Sequence, residues 1–246
     1  MDVTEFHLLR DPHHAPVAIV SLLWTDSKPG GYLDPNQIVR LASKAIASVS
    51  YVKSHMELPS TVSSLKEWIG RWDTSAKMEI QRTLSSVAHV LNNVVFAYPG
   101  PACASKTVGY VYPHGYQCFG TLGSNSSVRN CRFDTHGNFV IYLCPAFTSR
   151  DDEAKVEIML ARSSLHWRSY LTDQCANRSH IQIDGTCAGG SYAITREQCS
   201  ALAASDPSRS IKNAASFAYF VQAVADPAYS EKQRCKGSTR AITPFV

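Results

Sequence analysis

The residues best suited to chemistry lie in the stretch LARSSLHWRSYLTDQ, residues 160–174, in which His166 precedes Tyr170 by four positions. On a helix that spacing puts both side chains on one face. A helix that binds catalytic zinc carries two His at this spacing, with a Glu beside the first as general base. Here Trp167 stands beside His166, and Tyr170 takes the place of the second His. The stretch therefore keeps one potential ligand and lacks the base.

Two other interpretations of His166 compete with this one. A lone His on a helix is more often a packed or surface residue than a metal ligand. A rival metal site would combine His166 with Asp173, His180 and Asp184, although that spacing fits no known zinc pattern. The sequence has no G-x-S-x-G motif and no catalytic-looking Cys, so a nucleophile–base pair is not evident.

The bulk composition is that of a folded chain. Its 246 residues are 44% hydrophobic and 18% charged, which suits a folded globular protein of one large domain or two small ones. The net charge of +4 comes without a dense run of Lys or Arg, so a nucleic-acid partner is not expected. The longest apolar run, PVAIVSLLW, is too short to cross a membrane. We expect a monomer without a membrane partner.

Cysteines and glycosylation sequons favour an oxidising compartment. The chain has eight Cys, and none of them is in a C-x-x-C pair. This pattern favours disulfides over zinc knuckles. Asn125 and Asn177 begin N-x-S sequons in polar stretches. The start MDVTEFHLLRD lacks the pattern of a signal peptide, so Met1 is interpreted as a start codon added to a mature, secreted chain. The alternative is an intracellular protein, in which disulfides would be doubtful.

The segments that must position these residues show helical periodicity in some parts of the chain and strand periodicity in others. A strand is predicted over Val17 to Trp24, and Asp34-Pro35 predicts a helix start. A short helix is predicted within SSLKEWIGRWD, and a longer one from Thr74 carries an apolar stripe that extends to Val94.

The second half has a strand-rich part and then returns to helices. Strands are predicted around Tyr110 and Ile141, with a self-cross-linked loop, residues 113–137, inserted between them. Helices follow over the His166 stretch, from a capping box at Thr195 and from Asp206-Pro207 through SRSIKNAASFAYFVQAV. The prediction is an N-terminal extension, residues 1–33, and one α+β domain, residues 34–246, mainly helical with a small sheet.

Five pieces in order, TVGYVYP, FVIYLCPAF, SSLHWRSY, GTCAGGSYA and SDPSRSIKNAASFAYF, resemble the aspzincin metalloendopeptidases, the deuterolysins and peptidyl-lysine metalloendopeptidases. The resemblance covers about residues 34–225 and implies a zincin-like fold. That family binds zinc through HExxH and through an Asp in a following GTxxDxxYG motif. Matched by position, His166 keeps the first ligand, Trp167 replaces the base, Tyr170 the second His and Gly189 the Asp, whereas Tyr192 keeps the Tyr.

The resemblance thus implies a degenerate metal centre. Catalytic zinc needs about three protein ligands, and a phenol that titrates near pH 10 is a poor substitute. We expect no zinc, no other cofactor and no protease chemistry.

The resemblance also implies a disulfide between Cys103 and Cys144. Cys118 with Cys131 would close the insert. Three connectivities remain open for the other four, and the preferred pairing is Cys175–Cys187 and Cys199–Cys235.

The leading functional hypothesis is a secreted pseudoenzyme that binds a ligand in its former active-site groove. The aromatic side chains there suit a peptide strand or the face of a sugar. Because the family is mostly fungal and bacterial, the resemblance implies a host-interaction effector, an allergen-like protein or a lectin-like binder. The alternative is an active metalloendopeptidase or other hydrolase with a rearranged metal site; a nucleic-acid-directed toxin is the least favoured. The groove candidates are His166, Trp167, Tyr170, Gly189 and Tyr192.

Overall fold

The computed structural model describes residues 21–24, 33–100, 102–103, 107–112, 116–117, 131–134, 136–167, 186–187, 190–191 and 195–226. In these parts the chain is mainly helical with a small mixed sheet, which confirms the predicted α+β class. The helices are α1 Pro35–Ser54, α2 Pro59–Trp68, α3 Thr74–Asn92, α4 Pro145–Thr148, α5 Asp152–Trp167, α6 Arg196–Ser205, α7 Pro207–Ser210 and α8 Ala214–Ala225. The strands are β1 Ser21–Trp24, β2 Val94–Tyr98, β3 Gly109–Tyr110, β4 Tyr116–Gln117, β5 Cys131–Phe133, β6 Phe139–Leu143, β7 Thr186–Cys187 and β8 Gly190–Ser191.

The main sheet has the order β1-β2-β6-β5-β4, and β3 also pairs with β6. Strands β1, β2 and β6 are parallel, whereas β3 and β5 run antiparallel to β6 at its two ends. Strand β6 is therefore the middle of the sheet, and it is buried along its whole length. Strands β7 and β8 form a separate two-stranded pair.

Side-chain caps set the starts of several helices, as the sequence predicts. The Asp34 carboxylate accepts a hydrogen bond from the Asn36 N–H before Pro35 begins α1. Thr195 and Gln198 form the predicted capping box of α6. Helix α2 ends before Gly70, whose φ of 84° favours glycine; a Cβ there would lie 1.9 Å from the Ala203 carbonyl oxygen.

The core is divided by the sheet into two parts. The larger part contains residues of α1, α3, α5 and α8 together with Phe96 and Ile141 of the sheet, and α5 contacts β3 and β6 directly. The smaller lies on the opposite face around Tyr110 and Tyr142, whose rings stack with centroids 4.8 Å apart. Because both faces of β2 and β6 are covered, these strands are continuously apolar instead of alternating.

Three predicted elements are corrected. Val94 does not continue the stripe of α3: the helix ends at Asn92, and Val94 begins β2 beside β6. The insert 113–137 is not only a loop, since β4 and β5 lie within it and β5 pairs with β6. The helix predicted after Asp206 is two helices, because the Asn213 side chain accepts from the Ala215 N–H and starts α8 anew.

The strand predicted from Val17 to Trp24 corresponds to β1, with residues 17–20 outside the described ranges. Among the helices described, none is long and apolar enough to cross a membrane.

Candidate functional site

Helix α5, which carries His166, packs beneath the middle of the sheet and contacts α1, α3 and α8 on its other sides. Its Ile158 lies under β3, where a Cβ on Gly109 would be 3.8 Å from the Ile158 side chain. Its last turn reaches the start of β6, where His166 meets Val140. The helix is thus held at one end of β6 by Ile158 and at the other by His166.

The His166 side chain is buried, with 1% of its surface exposed. Its Nε2 lies 2.8 Å from the Val140 carbonyl oxygen. A carbonyl can only accept, so Nε2 carries the proton and Nδ1 the lone pair. Burial lowers the pKa of His166 to about 3. The Val140 hydrogen bond opposes this shift, and the nearby Arg132 charge adds to it. His166 is therefore a neutral imidazole whose Nε2 is engaged inside the fold.

Arg132 on β5 holds the end of the same helix. Its Nη2 donates a hydrogen bond to the His166 carbonyl oxygen at 2.6 Å, where the negative end of the helix dipole favours a cation. The guanidinium also lies over the Phe133 ring, 5.0 Å from its centroid. Partial burial lowers the pKa of Arg132, but a guanidinium stays protonated. Positive charge therefore lies directly against His166.

Further buried polar groups occupy the turn of α5 before His166. Arg162 is buried, and burial lowers its pKa to about 10. Ser163 is fully buried, and among the described residues its Oγ has no hydrogen-bond partner. The same is true of His166 Nδ1 and Arg132 Nε. Unsatisfied buried polar atoms are uncommon in folded proteins, so their concentration at the end of α5 marks this region as unusual.

These residues do not fit a zinc ion. The Nε2 of His166 is committed to Val140, and its neighbours Arg132 and Arg162 are cations. In the described ranges no three His, Cys, Asp or Glu residues stand close enough together to hold a metal. The rival ligands Asp173, His180 and Asp184 lie outside the described residues.

The structure describes only part of the predicted groove, whose role stays a prediction. His166 lies in the last turn of α5, and Trp167 is the last residue of that helix. Tyr170, Gly189 and Tyr192 lie outside the described residues, as do the sequons at Asn125 and Asn177. Sequence reasoning missed Arg132. Its contact with His166 joins residues far apart in the chain, and the only local signal is its place in a short strand beside Cys131.

A second polar cluster lies earlier on α5. Glu157 accepts a hydrogen bond from Arg196 Nη2 at 3.0 Å, with 9% and 13% of the two side chains exposed. The Arg196 guanidinium lies 4.8 Å from the centroid of the Tyr219 ring and 5.7 Å from that of Trp68. Burial, with the Glu157 charge, raises the pKa of Tyr219. This cluster ties α6 to α5.

The cysteines confirm the disulfide that the resemblance implies and correct one of the other predicted pairings. Cys103 and Cys144 are bonded, beside β6. Cys131 is also in a disulfide, whose partner is outside the described residues, so the pairing with Cys118 stays a prediction. Cys199 is a thiol and not part of the predicted Cys199–Cys235 disulfide, because it faces the interior beside Ser216. Cys175, Cys187 and Cys235 are not described at the side-chain level.

Comparison with solved structures agrees with this architecture. A zinc peptidase from Grifola frondosa matches with a TM-score of 0.50 and 17% sequence identity, over 76% of this chain and 93% of that one. At this identity the likeness shows the fold alone. No family model matches the sequence, and no curated protein matches it. The molecule therefore has the general fold of a zinc peptidase, with His166 hydrogen-bonded inside it.

Proposed function

We propose that this chain is a secreted, catalytically inactive relative of zinc peptidases that binds a protein, peptide or carbohydrate ligand at the end of α5. Host-interaction, allergen-like and lectin-like roles all belong to this class. Two supports are independent of each other: the residues that replace the base and two ligands in the aspzincin pattern, and the surroundings of His166. The Cys103–Cys144 disulfide favours an oxidising compartment.

The observation that carries the proposal is the hydrogen bond from His166 Nε2 to Val140, with Arg132 against the same residue. To bind zinc through Nε2, the imidazole would have to leave a buried carbonyl acceptor and bring a dication beside a guanidinium. Both changes cost free energy. Without a bound metal no water is made acidic, and Trp167 supplies no general base.

The direct experiment measures zinc per chain in the purified full-length protein, together with cleavage of casein and of lysine-containing peptides. We expect substoichiometric zinc and no cleavage. Cleavage that is abolished both by a chelator and by His166→Ala would overturn the proposal and favour a peptidase with a rearranged site.

A second experiment asks whether Trp167 belongs to the groove. In a binding groove, Trp167→Ala weakens ligand binding and leaves the thermal unfolding midpoint nearly unchanged. In a core position, the same change would instead lower the free energy of unfolding by about 3–5 kcal/mol. Thermal denaturation separates the two outcomes before any ligand is identified.

A rebuilding experiment tests the residue-by-residue placement of the site. Trp167→Glu, Tyr170→His and Gly189→Asp together would restore two His, one Asp and a base if the backbone matches that of an aspzincin. We expect zinc uptake by the triple variant and none by the parent. A well-folded triple variant that takes up no zinc would show that the motif has been placed wrongly.

A further inference from the structure

The two parts of the core differ in the state of their cysteines. The small core is the cluster on the side of the sheet that carries Tyr110, and its buried members are Ala97, Tyr110, Tyr112, Cys131, Val140, Tyr142 and Cys144. Cys131 and Cys144 are in disulfides, and Cys103, the partner of Cys144, packs against the same cluster. The larger core contains Cys199, which is a thiol. Among the described side chains, every disulfide cysteine therefore belongs to the small core or packs against it.

The small core depends on these disulfides more than the larger core does. It has far fewer apolar members than the larger core, which takes in four long helices and the other side of the sheet. A small core rarely buries enough apolar area to offset the loss of chain entropy, so cross-links commonly supplement it. The Cys103–Cys144 bond joins residues 41 positions apart, and opening such a loop favours the unfolded segment. Reduction should therefore destabilise the small core first.

Tyrosine hydroxyls attach the backbone beside the cysteines to the small core. Tyr110 Oη accepts a hydrogen bond at 2.8 Å from the N–H of Ala102, the residue before Cys103. Tyr142 Oη accepts from the Cys131 N–H at 3.3 Å and donates to the Cys131 carbonyl oxygen at 3.4 Å. Burial raises the pKa of Tyr110 and of Tyr142 above that of an exposed phenol. The ionisation of these two tyrosines therefore reports whether the small core is closed.

Strand β5 connects the small core to the end of α5. It pairs with β6 at one residue pair, Phe133 with Phe139. Its first residue, Cys131, is in a disulfide, and its second, Arg132, donates a hydrogen bond to the His166 carbonyl oxygen at 2.6 Å. Strand β6 is held more firmly, because it also pairs with β2 and contributes side chains to the larger core. Loss of the small core would thus free β5 and leave β6 in place.

We propose that the small core is a redox switch: reduction of its disulfides opens it and releases β5, with Arg132, from the end of α5, while the helices of the larger core stay folded. The switch requires no ligand and goes beyond the proposed function. A dithiol supplies the two electrons. One of its thiolates attacks a sulfur of the Cys103–Cys144 bond, and the other protein sulfur leaves as a thiolate and takes up a proton. The second reagent thiol then displaces the first protein sulfur, so that the protein gains two thiols and the reagent becomes a cyclic disulfide.

The experiment follows hydrogen exchange of the full-length protein by mass spectrometry, with and without dithiothreitol at neutral pH. We expect amide exchange in peptides that contain β3 or β5 to accelerate by about hundred-fold on reduction, as the loss of a disulfide implies. Peptides from α1, α3 and α8 should exchange at an unchanged rate. In an alkaline titration followed by tyrosinate absorbance, Tyr110 and Tyr142 should ionise near pH 10 in the reduced protein and only at higher pH in the oxidised one.

Cysteine variants separate the disulfides without a reductant. Cys131→Ala removes the cross-link of β5, and the double variant Cys103→Ala with Cys144→Ala removes the other. Cys199→Ala is the matched control, because it removes a buried cysteine of the larger core that is not in a disulfide. We expect fast exchange at β5 in Cys131→Ala and at β3 in the double variant. Cys199→Ala should behave like the wild type both with and without dithiothreitol.

Two outcomes on reduction would overturn the inference. Fast exchange in all the helices would show that the disulfides support the whole fold, and unchanged exchange at β5, in the reduced wild type and in Cys131→Ala, would show that they do not hold this strand. Fast exchange at β5 in oxidised Cys199→Ala would also contradict it, because the response would then not be specific to the disulfides.

Discussion

Two of the arginines that contact helix α5, Arg196 and Arg132, have different surroundings. Arg196 lies between two aromatic rings and reaches the Glu157 carboxylate, so its charge is balanced inside the fold. Arg132 meets a main-chain carbonyl at the end of the helix and has no described carboxylate beside it. Removing one partner of a buried charge pair is strongly destabilising, whereas an arginine without such a partner has no pair to break. The comparison separates a charge pair that ties α6 to α5 from an arginine that holds the end of α5 through a main-chain carbonyl.

Breaking the balanced cluster should have the largest effect on stability. Arg196→Met removes the guanidinium from beside the buried Glu157 carboxylate, and we expect the free energy of unfolding to fall by about 3–5 kcal/mol. Denaturant unfolding measures this. Adding Glu157→Gln should recover part of the loss, because the carboxylate that lost its counter-charge is then removed. If the double variant is no more stable than Arg196→Met, the pair is not the source of the effect.

The His166 end should respond to pH. The pKa of His166 is about 3 in the folded chain and near 6.5 when unfolded. Between these two pH values the unfolded state binds a proton at His166 that the folded state does not. The contribution of His166 to the free energy of unfolding is therefore fully present above about pH 6.5 and falls as the pH drops toward 3. At pH 4.5 the expected cost is ~2–3 kcal/mol. Stability curves of the wild type and of His166→Gln, measured from pH 7.5 to 4.5, should diverge by this amount; parallel curves would contradict the burial of a neutral His166.

The smallest effect is expected at a surface pair. Arg40 and Asp152 lie 2.6 Å apart, but 59% and 39% of their side chains are exposed. Water and salt screen such a pair, so Arg40→Met should change the free energy of unfolding by less than about 1 kcal/mol. This variant is the reference for the Arg196→Met prediction, because it also removes a guanidinium group, but an exposed one. A loss as large as that of Arg196→Met would mean that burial does not decide the difference.

The sequence predicts helix starts well because their signals are local. Asp34 before Pro35 and Thr195 three positions before Gln198 act on backbone groups within one turn, and both caps are present. The misassigned Val94 shows the limit of periodicity. It falls on the helical stripe of α3, but pairing with Phe139 on a distant strand places it in β2.

The candidate site also combines features that the sequence predicts with long-range contacts that it does not. The sequence singles out His166 by its place on a predicted helix and by the aspzincin-like pattern around it, and its role stays a prediction. Its commitment to Val140 and its contact with Arg132 are long-range contacts that no spacing encodes. Cys199 is a comparable case, because parity of the cysteine count favours a disulfide, whereas packing beside Ser216 leaves a buried thiol.

That buried thiol has a kinetic consequence. Burial raises the pKa of Cys199 to about 12, so at neutral pH almost none of the Cys199 side chain is thiolate. The thiolate is the nucleophile that reacts with alkylating reagents. In the folded chain it should therefore react with iodoacetamide far more slowly than an exposed cysteine. Any labelling that occurs must pass through conformations in which α6 has separated from α8. The rate of alkylation at Cys199 would then report how often these two helices open, at a position that needs no engineered probe.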